Sequence, residues 1–203
     1  MAAASDIRRQ MKQRRRALPQ AQQRDMADAL CRHLLRSHAY RNAGSLAAYF
    51  PFGGEPDLRP LMRQALADHK TVFLPVVRDG EKRLHFRPWA PGTRMLKNRY
   101  GIPEPADTAG ERPPQYLDLV LTPLVAFDAH GNRLGMGAGF YDRSFAFRRH
   151  RRRVGVPLLV GAAWSFQQLD TIEAMPWDVP LDAVVTEQGW CSTRSRGDLS
   201  ETP

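Results

Sequence analysis

From Leu117 to Arg149 the chain passes from an apolar run, Leu117-Asp118-Leu119-Val120-Leu121-Thr122, through a glycine-rich segment into a stretch, Tyr141 to Arg149, that lacks Gly and Pro. The apolar run reads as a buried strand and the last stretch as a helix, so the glycines fall near a helix start. Similar units recur along the chain. Ser45 to Tyr49, Thr71 to Pro75, Leu84 to Arg87 and Val154 to Val160 read as strands. Ser5 or Asp6 caps a first helix that runs to Leu18, with Ile7, Met11 and Leu18 on one side. Pro19 opens a second helix, on which Met26, Leu30 and Leu34 form a stripe, and a third carries Leu58, Leu61, Met62 and Leu66. Strands alternating with helices predict an α/β fold, a three-layer α/β/α sandwich with a mostly parallel central sheet.

The segment Gly131-Asn132-Arg133-Leu134-Gly135-Met136-Gly137-Ala138-Gly139-Phe140-Tyr141-Asp142-Arg143 has a chemistry of its own. Glycine has no Cβ and tolerates positive φ, so successive amides can converge on one point and form a concavity for an anion. A helix N-terminus adds partial positive charge there, and Arg133 adds a full charge with a bidentate fork for phosphate. Asp142 offers a carboxylate of the kind magnesium takes beside phosphate oxygens. Taken alone, such a string is more often an ordinary glycine-rich turn between strand and helix. It is not a Walker A loop, because the chain has no Gly-Lys-Ser/Thr, and Phe140 occupies the last glycine position of the dinucleotide fingerprint.

A chain of 203 residues predicts one domain, here residues 1–188, with a polar, turn-rich and flexible tail at 189–203. No apolar run approaches the ~20 residues that span a bilayer, and the first residues lack the apolar centre of a secretory signal. Two cysteines, Cys31 and Cys191, stand far apart, which suits a reducing compartment and predicts a cytoplasmic protein. The net charge of +9 comes largely from two clusters, Arg8 to Arg16 and Arg148 to Arg153. They are compatible with attraction of polyanionic small molecules, with a solvated basic face, or with nucleic-acid binding. No DNA- or RNA-binding module signature accompanies them, so nucleic acid is not the expected partner.

The longer string Leu119 to Arg143, LVLTPLVAFDAHGNRLGMGAGFYDR, resembles the signature of the 5-formyltetrahydrofolate cyclo-ligase family, also called methenyltetrahydrofolate synthetases. In that family a strand and a Pro-x-x-Ala-Phe-Asp segment lead into an Arg-Leu-Gly-x-Gly-x-Gly-Tyr-Tyr-Asp loop. Further segments are similar to the family's. Tyr49 to Leu58 resembles Tyr-x-Pro-x-x-x-Glu-x-Asp-Thr, with Leu58 in the threonine position. Tyr100-Gly101-Ile102-Pro103-Glu104-Pro105 is another hallmark and reads as a rigid wall of the site. Gly161, Ala163 and Gln167 match Gly-x-Ala-x-x-x-Gln. Trp177 to Glu187 matches the closing motif, with Trp177 where the family has His. Ile7-Arg8 matches the Leu-Arg of a basic first helix, but Ala4 stands where the family has Lys. The resemblance runs from Ile7 to Glu187.

It implies a single cyclo-ligase domain that joins ATP to folate chemistry. ATP would be held by Arg8 and by the run Arg133, Leu134, Gly135, Met136, Gly137, Ala138, Gly139, Phe140 and Tyr141, with Arg9, Lys12 or Arg15 replacing the charge absent at Ala4. Glu55 would bind the folate near its formyl group, Phe50 and Trp89 would line the pterin pocket, and Tyr141 would cover nucleotide or pterin. Arg133 and Glu55 would be the catalytic side chains. Magnesium would sit on Asp142 and Asp182. The implied reaction is 5-formyltetrahydrofolate plus ATP giving 5,10-methenyltetrahydrofolate, ADP and phosphate, by a monomer with small-molecule partners and no membrane. Two alternatives are another ATP-dependent ligase or kinase on the same scaffold, and a basic nucleic-acid-binding protein.

Overall fold

In the computed structural model, which describes residues 4–107, 109–149 and 157–192, seven strands form one sheet. From edge to edge they are β11 (Gly189–Ser192), β10 (Ala183–Thr186), β9 (Leu158–Ala162), β6 (Leu119–Pro123), β1 (Ser45–Ala47), β2 (Thr71–Val77) and β3 (Leu84–Pro88). The five inner strands are parallel and the two edge strands antiparallel to their neighbours. The expected mostly parallel sheet is therefore present.

Alternation along each strand sorts the apolar side chains to two faces. Leu46, Val72, Leu119, Val160 and Val185 belong to one cluster, which is covered by α2 (Gln20–Arg36), α3 (His38–Asn42) and α4 (Arg59–Ala67). On α2, Ala27, Leu30, Cys31 and Leu34 are buried at helical spacing. Ala47, Phe73, Val120, Leu159 and Val184 belong to the other cluster. The cover on that side is lighter: the five-residue α5 (Phe140–Ser144), a 3-10 turn over Ala146–Arg149, and the segment bearing Val179 and Leu181. Each fully buried Leu, Val or Phe contributes about 1.5–3 kcal/mol, so both faces are needed.

The helix expected from Tyr141 to Arg149 is thus broken. The Ser144 hydroxyl bonds back to the Phe140 carbonyl at 2.7 Å and accepts the Leu84 amide at 2.7 Å, which ties the end of α5 to β3. Fully buried Phe145 follows and packs against Phe86. Three other expectations change. The first helix, α1 (Ala4–Ala17), already contains Ser5 and Asp6, and Asp6 pairs with Arg9 at 2.7 Å instead of capping. The strand read as Val154 to Val160 is Leu158–Ala162, and residues 154–156 lie outside the described ones. The tail does not begin at 189. Gly189–Ser192 pairs residue by residue with β10, because Trp190 and Cys191 supply β-forming side chains after a turn; residues 193–203 lie outside the described ones. So do His150, Arg151, Arg152 and Arg153 of the second basic cluster.

Two small ribbons complete the fold. β4 (Met95–Lys97) pairs with β5 (Pro103–Pro105), and β7 (Ala126–Phe127) with β8 (Arg133–Leu134). No helix among the described residues is long and apolar enough to cross a membrane.

Candidate active site

β1 and β6 lie side by side at the middle of the sheet, and the chain leaves them in opposite directions: β1 leads to β2 on one side, β6 to β9 on the other. In an open α/β sheet the crevice beyond the carboxyl ends of such strands is where ligands bind. A cavity of about 260 Å³ occupies that place. It is bordered by Tyr49 and Phe50 after β1, Pro123 and Leu124 at the end of β6, and Leu74 and Val77 of β2.

One wall is the glycine loop. Asp128, 1% exposed, shapes its approach: Oδ1 accepts the His130 and Asn132 amides, and Oδ2 accepts the Asn132 side chain and the Ile172 amide. That turn sends β8 back along β7 and delivers Arg133 to the cavity. From Gly135 to Asp142 every residue except Gly137 lines it; Leu134 does not, its carbonyl being taken by the Val125 amide. Gly137 has φ of 105°, which a side chain rarely adopts, and a Cβ there would lie 3.8 Å from the Arg8 guanidinium. Arg8 itself donates from Nε to the Gly135 carbonyl at 2.8 Å. The structure therefore brings the first-helix arginine and the glycine loop together, as the sequence suggests. Arg9 is turned to solvent beside Asp6. Arg15 does not bond to the glycine loop.

Instead, Arg15 is buried beneath the Glu55 loop, 2% exposed, with Nη1 3.6 Å from Glu55 Oε1 and 3.4 Å from the Leu124 carbonyl. Gly54, with φ of 82°, lies directly on it: a Cβ would meet the Arg15 Cβ and carbonyl oxygen at 3.0 Å. The Gly53-Gly54 pair before Glu55 is the sequence trace of that close approach. Glu55 lines the cavity with a side chain 10% exposed, and its Oε2 accepts the Phe52 amide at 3.1 Å. Burial pushes its carboxyl up to about 7, against the opposing pull of Arg15 and the Phe52 amide.

Of the aromatic candidates, Phe50 and Tyr141 line the cavity and Trp89 does not. Trp89 packs edge-on behind Phe50, with centroids 6.0 Å apart, and supports the wall without forming it. Phe52, Phe140 and Tyr100 also line the cavity, the last from the hallmark segment that also supplies Ile102, Pro103 and Glu104. The reading of that segment as a wall holds. Tyr141 stacks on Phe145 at 6.2 Å, and its hydroxyl is pushed up by burial and by Glu55.

The two aspartates expected to share a metal are placed differently. Asp142 lines the cavity, and its Oδ1 accepts Arg133 Nη2 at 2.6 Å and the Val179 amide at 3.1 Å. Arg133 also donates to the Val179 carbonyl. Asp182 does not line the cavity; its Oδ2 accepts Arg148 Nη2 at 2.6 Å and the Leu159 amide at 2.8 Å. No group of three or more His, Cys, Asp or Glu suited to a metal occurs among the described residues.

Sequence reasoning assigned no part to two residues that clamp the site. The Trp164 indole donates to the Gly54 carbonyl at 2.8 Å, while buried Gln167 donates to the Leu124 and Val125 carbonyls at 3.0 and 2.8 Å. The Gly-x-Ala-x-x-x-Gln string thus fastens the Glu55 loop and the end of β6 to one turn.

The chain is similar to known proteins in sequence and in fold. A 5-formyltetrahydrofolate cyclo-ligase of Haemophilus influenzae is 37% identical over 177 residues, which is 86% of this chain and 92% of that one. One of Escherichia coli is 37% identical over 178 residues, 87% of this chain and 96% of that one. The solution structure of Aquifex aeolicus 5,10-methenyltetrahydrofolate synthetase superposes with a TM-score of 0.80 at 28% identity, covering 98% of this chain and 97% of that one. The model of the 5-formyltetrahydrofolate cyclo-ligase family matches residues 1–187. With a glycine loop and a buried glutamate facing one cavity, and with that match over nearly its whole length, the chain belongs to the 5-formyltetrahydrofolate cyclo-ligase family.

Proposed function

We propose that this protein cyclises 5-formyltetrahydrofolate to 5,10-methenyltetrahydrofolate with conversion of ATP to ADP and phosphate. The observation that carries the reading is the joining, in one cavity, of a glycine loop under Arg8 and an apolar slot holding Glu55. A formamide oxygen is a poor leaving group. Transfer of the γ-phosphoryl group to that oxygen, with ADP departing, turns it into a phosphate. Attack of N10 on the formyl carbon, with loss of the N10 proton, then expels phosphate and closes the ring. Such chemistry asks the protein for alignment and charge stabilisation above all.

Arg8 and the amides from Gly135 to Gly139 would hold the triphosphate. Arg133 would move from Asp142 toward the transferred group, since a guanidinium forks readily onto phosphate. Ionised Glu55 would face the N5–CH unit, where positive charge develops as the oxygen is phosphorylated. Magnesium fits on Asp142 because both of its hydrogen bonds fall on Oδ1, leaving Oδ2 as a ligand beside phosphate oxygens. Bound there, the ion would neutralise phosphate charge. Asp182, engaged by Arg148 and the Leu159 amide, is better suited to fixing the start of β9. Action as a monomer in the cytoplasm completes the reading, and the free cysteines Cys31 and Cys191 are in keeping with a reducing compartment. Incubation with 5-formyltetrahydrofolate, ATP and magnesium should build methenyl absorbance, with none when ATP is omitted. Absence of that product with fresh substrate overturns the proposal.

A further inference from the structure

The hallmark segment Tyr100 to Pro105, with Asn98 just before it, has no part in the steps above, yet its side chains are tightly arranged around one carboxylate. Glu104 is 8% exposed and lines the cavity. Its Oε1 accepts the Val77 amide at 3.0 Å and Asn98 Nδ2 at 2.5 Å. Asn98 is itself fixed, because its Oδ1 accepts the Tyr100 and Ile102 amides at 2.8 and 3.1 Å. The ribbon of β4 and β5 thus holds Glu104 against the end of β2 in one orientation. Glu104 Oε2 makes no hydrogen bond among the described residues.

The surroundings limit what that carboxylate can serve. Leu74, Val77, Leu84, Ile102 and Pro103 make the adjoining wall apolar, the lining a flat ring system prefers. A carboxylate is an acceptor only, so its ligand must bring donors. The other two acidic side chains of the cavity already have a part: Asp142 is tied to Arg133, and the proposed reaction gives Glu55 the formyl end. On a 2-amino-4-oxopteridine the adjacent N3–H and 2-amino donors lie at the opposite end of the fused ring from N5. Burying those donors without an acceptor is unfavourable.

We infer that Glu104, oriented by Asn98 and the Val77 amide, receives the N3–H and 2-amino donors of the pteridine and so sets which heterocycle the slot accepts. The inference rests on the folate reading above. Glu55 and Glu104 then divide the ring between them, one at the reacting end and one at the recognition end. Burial raises the Glu104 carboxyl above its ordinary value, and two ligand donors would favour its ionised form again.

The test compares 5-formyltetrahydrofolate with its 2-desamino-2-methyl analogue, using equilibrium dissociation constants from quenching of intrinsic fluorescence alongside turnover. The unaltered protein should bind the analogue roughly tenfold to a hundredfold more weakly than the substrate, the range for losing a hydrogen bond to a charged group. Glu104→Gln should raise KM for the substrate by a similar factor, leave KM for ATP in place, and discriminate much less between the two ligands. Equal binding of both ligands by the unaltered protein overturns the inference, and that measurement needs no variant. So does a folded Glu104→Gln that loses affinity for both ligands by the same factor, since that marks a purely structural tie to β2. Tight, discriminating binding without methenyl formation would sink the proposed reaction while leaving Glu104 as the recognition group.

Discussion

On one side of the cavity, where the proposed reaction puts the nucleotide, the polar groups are backbone atoms of one short loop with Arg8 and Arg133 beside them. On the other side, where it puts the folate, they are two carboxylates, Glu55 and Glu104, set into apolar walls. The first surface is made by conformation: Gly137 holds a positive φ and Arg8 closes over it. The second is made by contacts from afar: Arg15 under Glu55, Trp164 on Gly54, and Val77 and Asn98 on Glu104. A local string of residues is enough to mark the first. The second exists only when separate elements are folded together.

If conformation governs the loop, Gly137→Val should have the largest effect. A branched side chain at that φ should cost about 1–3 kcal/mol of stability through strain and, by displacing the loop amides, lower kcat/KM for ATP by roughly two decades, more than an equally destabilised variant outside the loop. A folded variant with normal ATP kinetics would erase the contrast. Arg8→Ala comes next. Loss of a charge-assisted contact should weaken ATP binding by about one to two decades, with exposed Arg16→Ala as a control that changes little. Equal small effects at both positions would mean that the helix acts through a diffuse field.

A subtler test addresses the substrate side. With its carboxyl pushed up to about 7, Glu55 holds its proton more firmly folded than unfolded. Its contribution to stability is therefore present at low pH and is lost as pH rises through about 7. If the ionised form serves the reaction, kcat/KM should rise across the same window. The charged and titratable groups facing Glu55 are Arg15 from α1, Tyr49 after β1 and Tyr141 of α5. Arg15→Met removes the cation that favours ionisation, so the rise should move to higher pH, while KM for ATP stays put. A profile identical to the parent's would show that Arg15 only fills space. The smallest effect is expected at Trp89, which stands behind Phe50. Trp89→Leu should change KM for the folate by less than about threefold, as suits loss of indirect support; a tenfold loss would return Trp89 to the slot itself.

The same division explains what could be read from the sequence. Strands such as Leu119–Pro123 and the glycine loop carry their signal in adjacent residues, through alternation, turn chemistry and missing side chains. Arg8 was legible because its helix resembles that of the family. Arg15 looked like its neighbours in a basic run, and nothing local distinguishes a buried arginine from a solvated one. Trp164 and Gly54 are 110 residues apart in the chain, so their bond has no local trace. Trp89 was misplaced for a related reason: an aromatic next to a pocket and one in its wall look the same in sequence. The stretch after Tyr141 reads as one helix because the bond from Leu84 that ends it comes from another strand.

β11 has a consequence beyond the chemistry of the cavity. Ala183, Val184 and Val185 of β10 are buried, and their outer backbone groups are matched by Ser192, Cys191 and Trp190. A protein ending at Glu187 would keep every residue that borders the cavity but would expose β10 as an apolar, unpaired edge, a template on which other chains can add. Shortening the C-terminus should therefore show itself first as self-association during expression and storage, with the specific activity of the surviving monomer close to that of the full chain.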